Sequence, residues 1–134
     1  MAWIETGWTN FAMGVALAWD ALEELETVDF DKLGFAEGTR ESMLNQQRAL
    51  AASLYLDGLD FFGGVPLYTT TQSEVKGRST DVQTFNFIDS LLDIAIPNLP
   101  VKETLGAMET GSVHRAAGAA LKARLYFNAK SYIG

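Results

Sequence analysis

Few residues in this chain are of a type and spacing that could do chemistry. Its single histidine, His114, stands beside Arg115 with no second histidine to complete a metal site or a proton relay, so a surface or helix-capping role is expected. Asp29, Asp31 and Gly34 fall at the first, third and sixth places of a calcium loop. The fifth place is Leu33 and the twelfth is Arg40, where a bidentate glutamate is needed, and a loop of that kind is rejected. Asp20, Glu23, Glu24, Glu26, Asp29 and Asp31 form a dense acidic stretch, which reads as a solvated helix end; nothing in it separates two carboxylates into acid and base. No glycine-serine-glycine nucleophile elbow occurs, and Gly63 and Gly64 follow a predicted helix where a phosphate-binding loop would precede one. No metal or cofactor site is expected. The aromatic residues are more informative. Trp3 and Trp8 precede or open the first predicted helix, and Tyr68 lies in a loop after Pro66. Flat aromatic faces suit sugar rings, whose C–H groups pack on the ring while hydroxyls bond to polar neighbours. Trp8 and Trp19 also share helical faces with aliphatic residues, which favours core positions for both.

The elements that must position these residues are helices. Trp8, Phe11, Val15, Ala18, Leu22 and Leu25 recur at spacings of three and four and predict a helix from Thr9 to Leu25. Residues 26–38 lack a sustained period and read as a loop, with one short helical turn over Asp29 to Leu33. A second helix runs from Thr39 to Phe62, with Met43, Gln47, Leu50 and Leu54 beside Leu44, Ala51, Tyr55, Leu59 and Phe62. Leu50 and Leu54 are expected in the main core. Gly63, Gly64 and Pro66 end it; Val65 to Thr71 reads as extended and an exposed loop follows to Ser79. Thr80 and Gln83 form a capping-box pattern that opens a third helix, Thr80 to Ala95, ending before Pro97. Pro97 to Gly111 is expected to be a loop, and a fourth helix spans Ser112 to Lys130. Small residues at Ala51, Ala52 and Ala116 to Ala120 permit close helix packing of the tetratricopeptide (TPR) kind. The fold class is all-α: an irregular TPR-like array of four main helices joined by long, unequal loops.

The 134 residues fit one domain, and a 48% apolar share supplies its core. With 17 acidic against 10 basic residues, the net charge of -7 disfavours nucleic acid as a partner. The longest apolar stretch, Phe11 to Trp19, is shorter than the roughly 18 residues needed to span a bilayer. The absence of cysteine excludes disulfides and thiolate chemistry.

Three ordered blocks resemble one known family. Arg48, Ala49 and Leu50 through Asp57, then Phe61, Phe62, Gly63, Gly64, Val65, Pro66 and Leu67, look like the SusD/RagB pattern in which an arginine-rich helix enters a Phe-Gly-Asp-Val-Pro-Leu turn. Arg78, Ser79, Val82, Ile88, Leu92, Ala95, Leu99 and Pro100 are similar to the following helix. Gly111, Arg115, Ala117, Leu121, Ala123, Arg124, Tyr126 and Asn128 resemble the alanine-rich helix after that. The departures are Asn45 and Gln46 for Gly-Glu, Ala51 for a second arginine, and Gly64 for the aspartate of the turn; Trp19 stands about where an asparagine is expected.

The resemblance implies a partial SusD-like helical domain, residues 1–134, of a longer lipid-anchored protein on the bacterial outer membrane. Such a protein is not an enzyme; it binds oligosaccharide and passes it to a SusC-like TonB-dependent transporter, touching the membrane only through a lipid anchor outside this chain. Under that reading Trp3, Trp8 and Tyr68 are the aromatic platforms and Arg78 a hydroxyl-binding cation. Two other classes compete: a helical protein–protein interaction scaffold without a small ligand, and an all-helical hydrolase, which lacks a catalytic constellation. Finally, Tyr126, Phe127, Tyr132 and Ile133 follow the core-facing residues of the fourth helix, so an uncovered apolar patch and self-association are expected.

Overall fold

The structure, a computed structural model, describes residues 1–101 and 111–134. Part of the predicted 97–111 loop therefore lies outside the described residues. The chain forms five helices, α1 (Ala2–Thr27), α2 (Thr39–Phe62), α3 (Asp81–Asn98), α4 (Arg115–Phe127) and α5 (Ala129–Ile133), with no strand among the described residues. The all-α array of four main helices is as expected, with α5 as a short addition. None of these helices is long and apolar enough to cross a membrane.

Each main helix packs antiparallel on its chain neighbours. Phe11 and Gly14 of α1 meet Gly58 and Leu54 of α2; Tyr55 of α2 meets Phe87 of α3 at 4.9 Å between rings; Gly118 of α4 sits on Leu99 and Ile96. A Cβ at Gly58 would lie 2.7 Å from the Phe11 ring, so glycine sets how closely α1 approaches α2. The core gathers Val15, Ala18, Trp19 and Leu22 from α1 with Leu44, Ala51, Ala52, Tyr55, Leu56 and Leu59 from α2; Val65, Phe85, Ile88, Leu91, Leu92 and Leu125 join them.

Several boundary and burial expectations are corrected. First, α1 begins at Ala2 instead of Thr9, so Trp3 and Trp8 both lie within the helix. Its start carries no side-chain cap, and packing of Trp8 on Phe62 (5.3 Å) extends it where no local signal does. Second, α3 continues through Pro97 to Asn98. A proline in the last turn forfeits a single N–H, and Arg115 Nη2 donates to the carbonyls of Pro97 (2.9 Å) and Leu99 (3.4 Å) at that end.

Third, the helix expected from Ser112 to Lys130 starts at Arg115 and divides at Asn128. Asn128 leaves helical geometry (φ -96°, ψ 6°), donates through Nδ2 to Arg124 O at 3.0 Å, and accepts from Ser131 N at 2.8 Å. Fourth, Leu50 is 44% exposed and lies outside the core, whereas Leu54 is partly buried against it. Both stripes of α2 are apolar, and the one holding the small residues Ala51, Ala52 and Gly58 turns inward because only there can neighbouring helices approach.

The capping box holds: Thr80 Oγ1 accepts from Gln83 N at 3.1 Å, and Thr80 N donates to Gln83 Oε1 at 2.9 Å. Phe127 is 90% exposed, and Tyr126 and Ile133 are exposed beside it. Tyr132 departs from the expected patch: it is partly buried and its hydroxyl bonds Asp60.

Candidate functional site

The α2–α3 connection creates the site. The backbone reverses at Gly63 (φ 72°), and a Cβ on Gly64 would fall 1.9 Å from the Ser79 carbonyl oxygen, so the two ends of the loop cross where only glycine fits. Asp81 Oδ1 accepts from Gly64 N at 2.6 Å, and Val65 N donates to Thr84 Oγ1 at 3.3 Å. Arg78 clasps the crossing: Nε donates to Gly64 O at 2.8 Å and Nη2 to Phe62 O at 2.7 Å. A cation on the last carbonyls of α2 also complements the helix dipole.

Anchored there, residues 66–76 fold back along α1 and enclose a cleft of about 420 Å³. Trp8, Ala12, Val15 and Trp19 form its α1 side, and Pro66, Tyr68, Thr70, Thr71, Ser73 and Lys76 the loop side. Three ties fix the loop. Tyr68 N donates to the buried Tyr55 hydroxyl at 2.9 Å, which in turn donates to Tyr68 O at 3.2 Å. Lys76 N donates to the Tyr68 hydroxyl at 3.0 Å, and its ammonium lies 5.7 Å from the centre of the same ring. Glu23 accepts from Thr71 N at 2.9 Å and from the Thr71 hydroxyl.

Burial pushes the Tyr55 hydroxyl above its ordinary pKa, the hydrogen bond to Tyr68 opposing it. Hydrogen bonds from Thr70 and Thr71 hold Glu23 below the usual carboxylate range. The Trp19 indole N–H is buried without a partner in hydrogen-bond geometry, although close enough to the Tyr55 oxygen to favour its ionised form.

The predicted site residues divide. Trp8, 40% exposed and so not the core residue expected, shares the cleft with Tyr68. Arg78 lies in an adjoining hollow with Trp8, Phe61 and Pro66, its Nε and Nη2 turned to backbone carbonyls. Trp3, 74% exposed, is apart from both, in an apolar groove of about 480 Å³ between the start of α1 and the end of α2 with Phe11, Phe61 and Phe62. Sequence reasoning missed Thr70, Thr71, Ser73 and Lys76. Only the threonine-rich run after Pro66 pointed toward them.

Among the acids, Asp20, Glu24, Glu26, Asp29 and Asp31 are exposed, in keeping with a solvated helix end, and Glu23 in addition ties α1 to the loop. Asp29 Oδ1 accepts from Lys32 N at 3.0 Å and closes its own turn. His114 caps α4, Nδ1 accepting from Ala117 N at 3.2 Å, as expected. Farther along, Arg124 spans Asp57 (3.1 Å) and Asp60, and Lys122 pairs with Asp89 (3.0 Å) and Asp93, fastening α4 to α2 and α3. Burial, aided by the bond to Asp60, raises Tyr132 to about 12.

The fold and cleft together define an all-helical scaffold with an aromatic, hydroxyl-lined hollow. Solved structures share that fold. A SusD-like protein from Bacteroides fragilis aligns with 96% of this chain and 24% of its own length, at a TM-score of 0.79 and 23% identity. A laminarin binding SusD-like protein aligns with 92% of this chain (TM-score 0.78, 22% identity, 26% of that chain). Surface glycan-binding protein A from Bacteroides uniformis aligns with 94% of it (TM-score 0.79, 24% identity, 28% of that chain). No family profile and no curated protein matches the sequence. The chain thus has the SusD-like fold, over about a quarter of the length of these structures.

Proposed function

We propose that this chain is the helical portion of a longer SusD-like protein that binds oligosaccharide without transforming it. It works at the bacterial outer membrane, where it delivers the sugar to a SusC-like TonB-dependent transporter. The observation that carries the reading is the agreement of nearly the whole chain with structures that include a laminarin binding protein and surface glycan-binding proteins. The cleft adds local support. Trp8 offers a half-exposed indole, and Ser73 a hydroxyl in the same hollow beside the two threonines tied to Glu23, the pairing of apolar face and polar rim that a sugar needs. Titrating the natural full-length protein with a panel of oligosaccharides while following tryptophan fluorescence tests this. Saturable quenching that Trp8→Ala weakens supports it; no response to any sugar contradicts it.

A second reading, a helical protein–protein interaction scaffold, is favoured by the groove that holds Trp3. Its lining is apolar apart from Asn10 and Asp57, and Trp3 and Phe61 stand largely in solvent. Retention of a protein partner together with silence toward sugars distinguishes that class.

A further inference from the structure

Seventeen acids against ten bases give this chain its negative charge, yet among the described residues no acid lines the Trp8–Tyr68 cleft. Among the described residues Lys76 is the one charged side chain in that lining. The other charged groups near the loop are committed: Arg78 bonds the Gly64 and Phe62 carbonyls, and Glu23, the acid behind Thr71, accepts two hydrogen bonds from that residue. Among the described residues the Lys76 ammonium has no carboxylate partner, and it lies 5.7 Å from the centre of the Tyr68 ring.

Its placement is built from the core outward. The fully buried Tyr55 hydroxyl holds the Tyr68 backbone by two hydrogen bonds, and the Tyr68 hydroxyl holds the Lys76 N–H. Tyr68 thus grips the lysine at its backbone and at its ammonium. A cation fixed in this way loses less side-chain freedom on meeting an anion than one on a free stem. The negative face of the ring also favours the charge at this exposed position.

We infer that the cleft selects oligosaccharides that carry an anionic group, a uronic acid carboxylate or a sulfate ester, and that Lys76 reads this group while Trp8 packs against a sugar ring. The inference rests on the glycan reading above and narrows it to a substrate class. Ser73, in the same lining, supplies a hydroxyl to that sugar, while the Thr70 hydroxyl is held by Glu23 and Gln72 N.

The test measures affinities of the natural full-length protein for three probes of equal length: an oligogalacturonate, its carboxyl-reduced neutral counterpart and a sulfated galactan oligosaccharide. At least one anionic probe should bind roughly tenfold more tightly than the neutral one, and the preference should weaken with added salt. Lys76→Gln should cut that ratio by roughly threefold to tenfold, and Lys76→Arg should retain most of it. Lys130→Gln, on exposed α5, should leave the ratio unaltered, and the melting temperature of each variant reports folding. Whichever anionic probe wins identifies the group. Equal affinity for neutral and anionic probes, or a preference that survives Lys76→Gln, overturns the inference and leaves the glycan reading standing. No binding of any of the three probes overturns the inference, and the wider oligosaccharide panel then decides the glycan reading.

Discussion

The Tyr55 hydroxyl and the Tyr68 backbone form a reciprocal pair: the hydroxyl donates to Tyr68 O at 3.2 Å and accepts from Tyr68 N at 2.9 Å. One fully buried side chain thereby pairs the backbone of a loop residue that no helix or strand neighbour pairs. Tyr55→Phe keeps the ring and leaves both backbone groups unpaired, so a loss of about 1–3 kcal/mol is expected from urea denaturation. Limited proteolysis should at the same time cut more quickly within residues 69–77. An unaltered unfolding midpoint with unaltered cleavage would show that the pair does not hold the loop.

Gly64→Ala is expected to be the most damaging small substitution in the chain. The added carbon would stand 1.9 Å from the Ser79 carbonyl oxygen, a backbone atom, so both strands of the loop crossing must part. A cost of about 3 kcal/mol or more, or failure to fold, should follow. A thermal midpoint within a degree or so of the wild type would contradict the crossing.

Leu56→Ala and Leu50→Ala separate the two apolar stripes of α2. Leu56 is wholly buried and its truncation should cost about 2–5 kcal/mol. Leu50 is exposed, and its truncation should cost no more than about 0.5 kcal/mol. Chemical denaturation of the two variants side by side decides the register; the reverse ranking would restore the sequence-based assignment.

That pair also shows how far the sequence could be read. Apolar spacing located α2, α3 and α4 because each has one polar flank or a cap, such as the Thr80–Gln83 box. It misjudged Leu50 because α2 is apolar on two stripes, and choosing between them depends on the closeness of α1, set by Gly58 against Phe11. The start of α1 was hidden because its capping residue is Met1, and what stabilises it is Phe62, far along the chain. In the cleft, Trp8 and Tyr68 were legible as aromatics of uncertain burial. The use of Arg78 as a helix clasp and the grip on Lys76 were not, since both are bonds between residues 8 to 16 positions apart across a loop with no period.

The Glu23 tie should respond to acid. Its folded pKa is lowered from 4.5 by hydrogen bonds from Thr70 and Thr71, so the tie is fully present above that value and is lost as pH falls through the depressed folded value. Amide hydrogen exchange at Thr71, compared at neutral and acidic pH, should show protection that disappears on acidification. In Glu23→Gln most of that pH dependence should vanish. Identical acid sensitivity in the variant would assign the effect to another group.

The central claim, that this helical array carries part of a sugar-binding cleft, is tested most directly by calorimetric titration of the natural full-length protein with its best oligosaccharide from the panel, in wild-type form and as the Trp8→Ala, Tyr68→Ala and Trp3→Ala variants. Trp8 and Tyr68 share the cleft and Trp3 lies outside it. The account predicts a loss of about tenfold or more in affinity for Trp8→Ala, corresponding to at least about 1.4 kcal/mol, a comparable loss for Tyr68→Ala, and little change for Trp3→Ala. Binding that is undiminished in both cleft variants, while each remains folded, would contradict it.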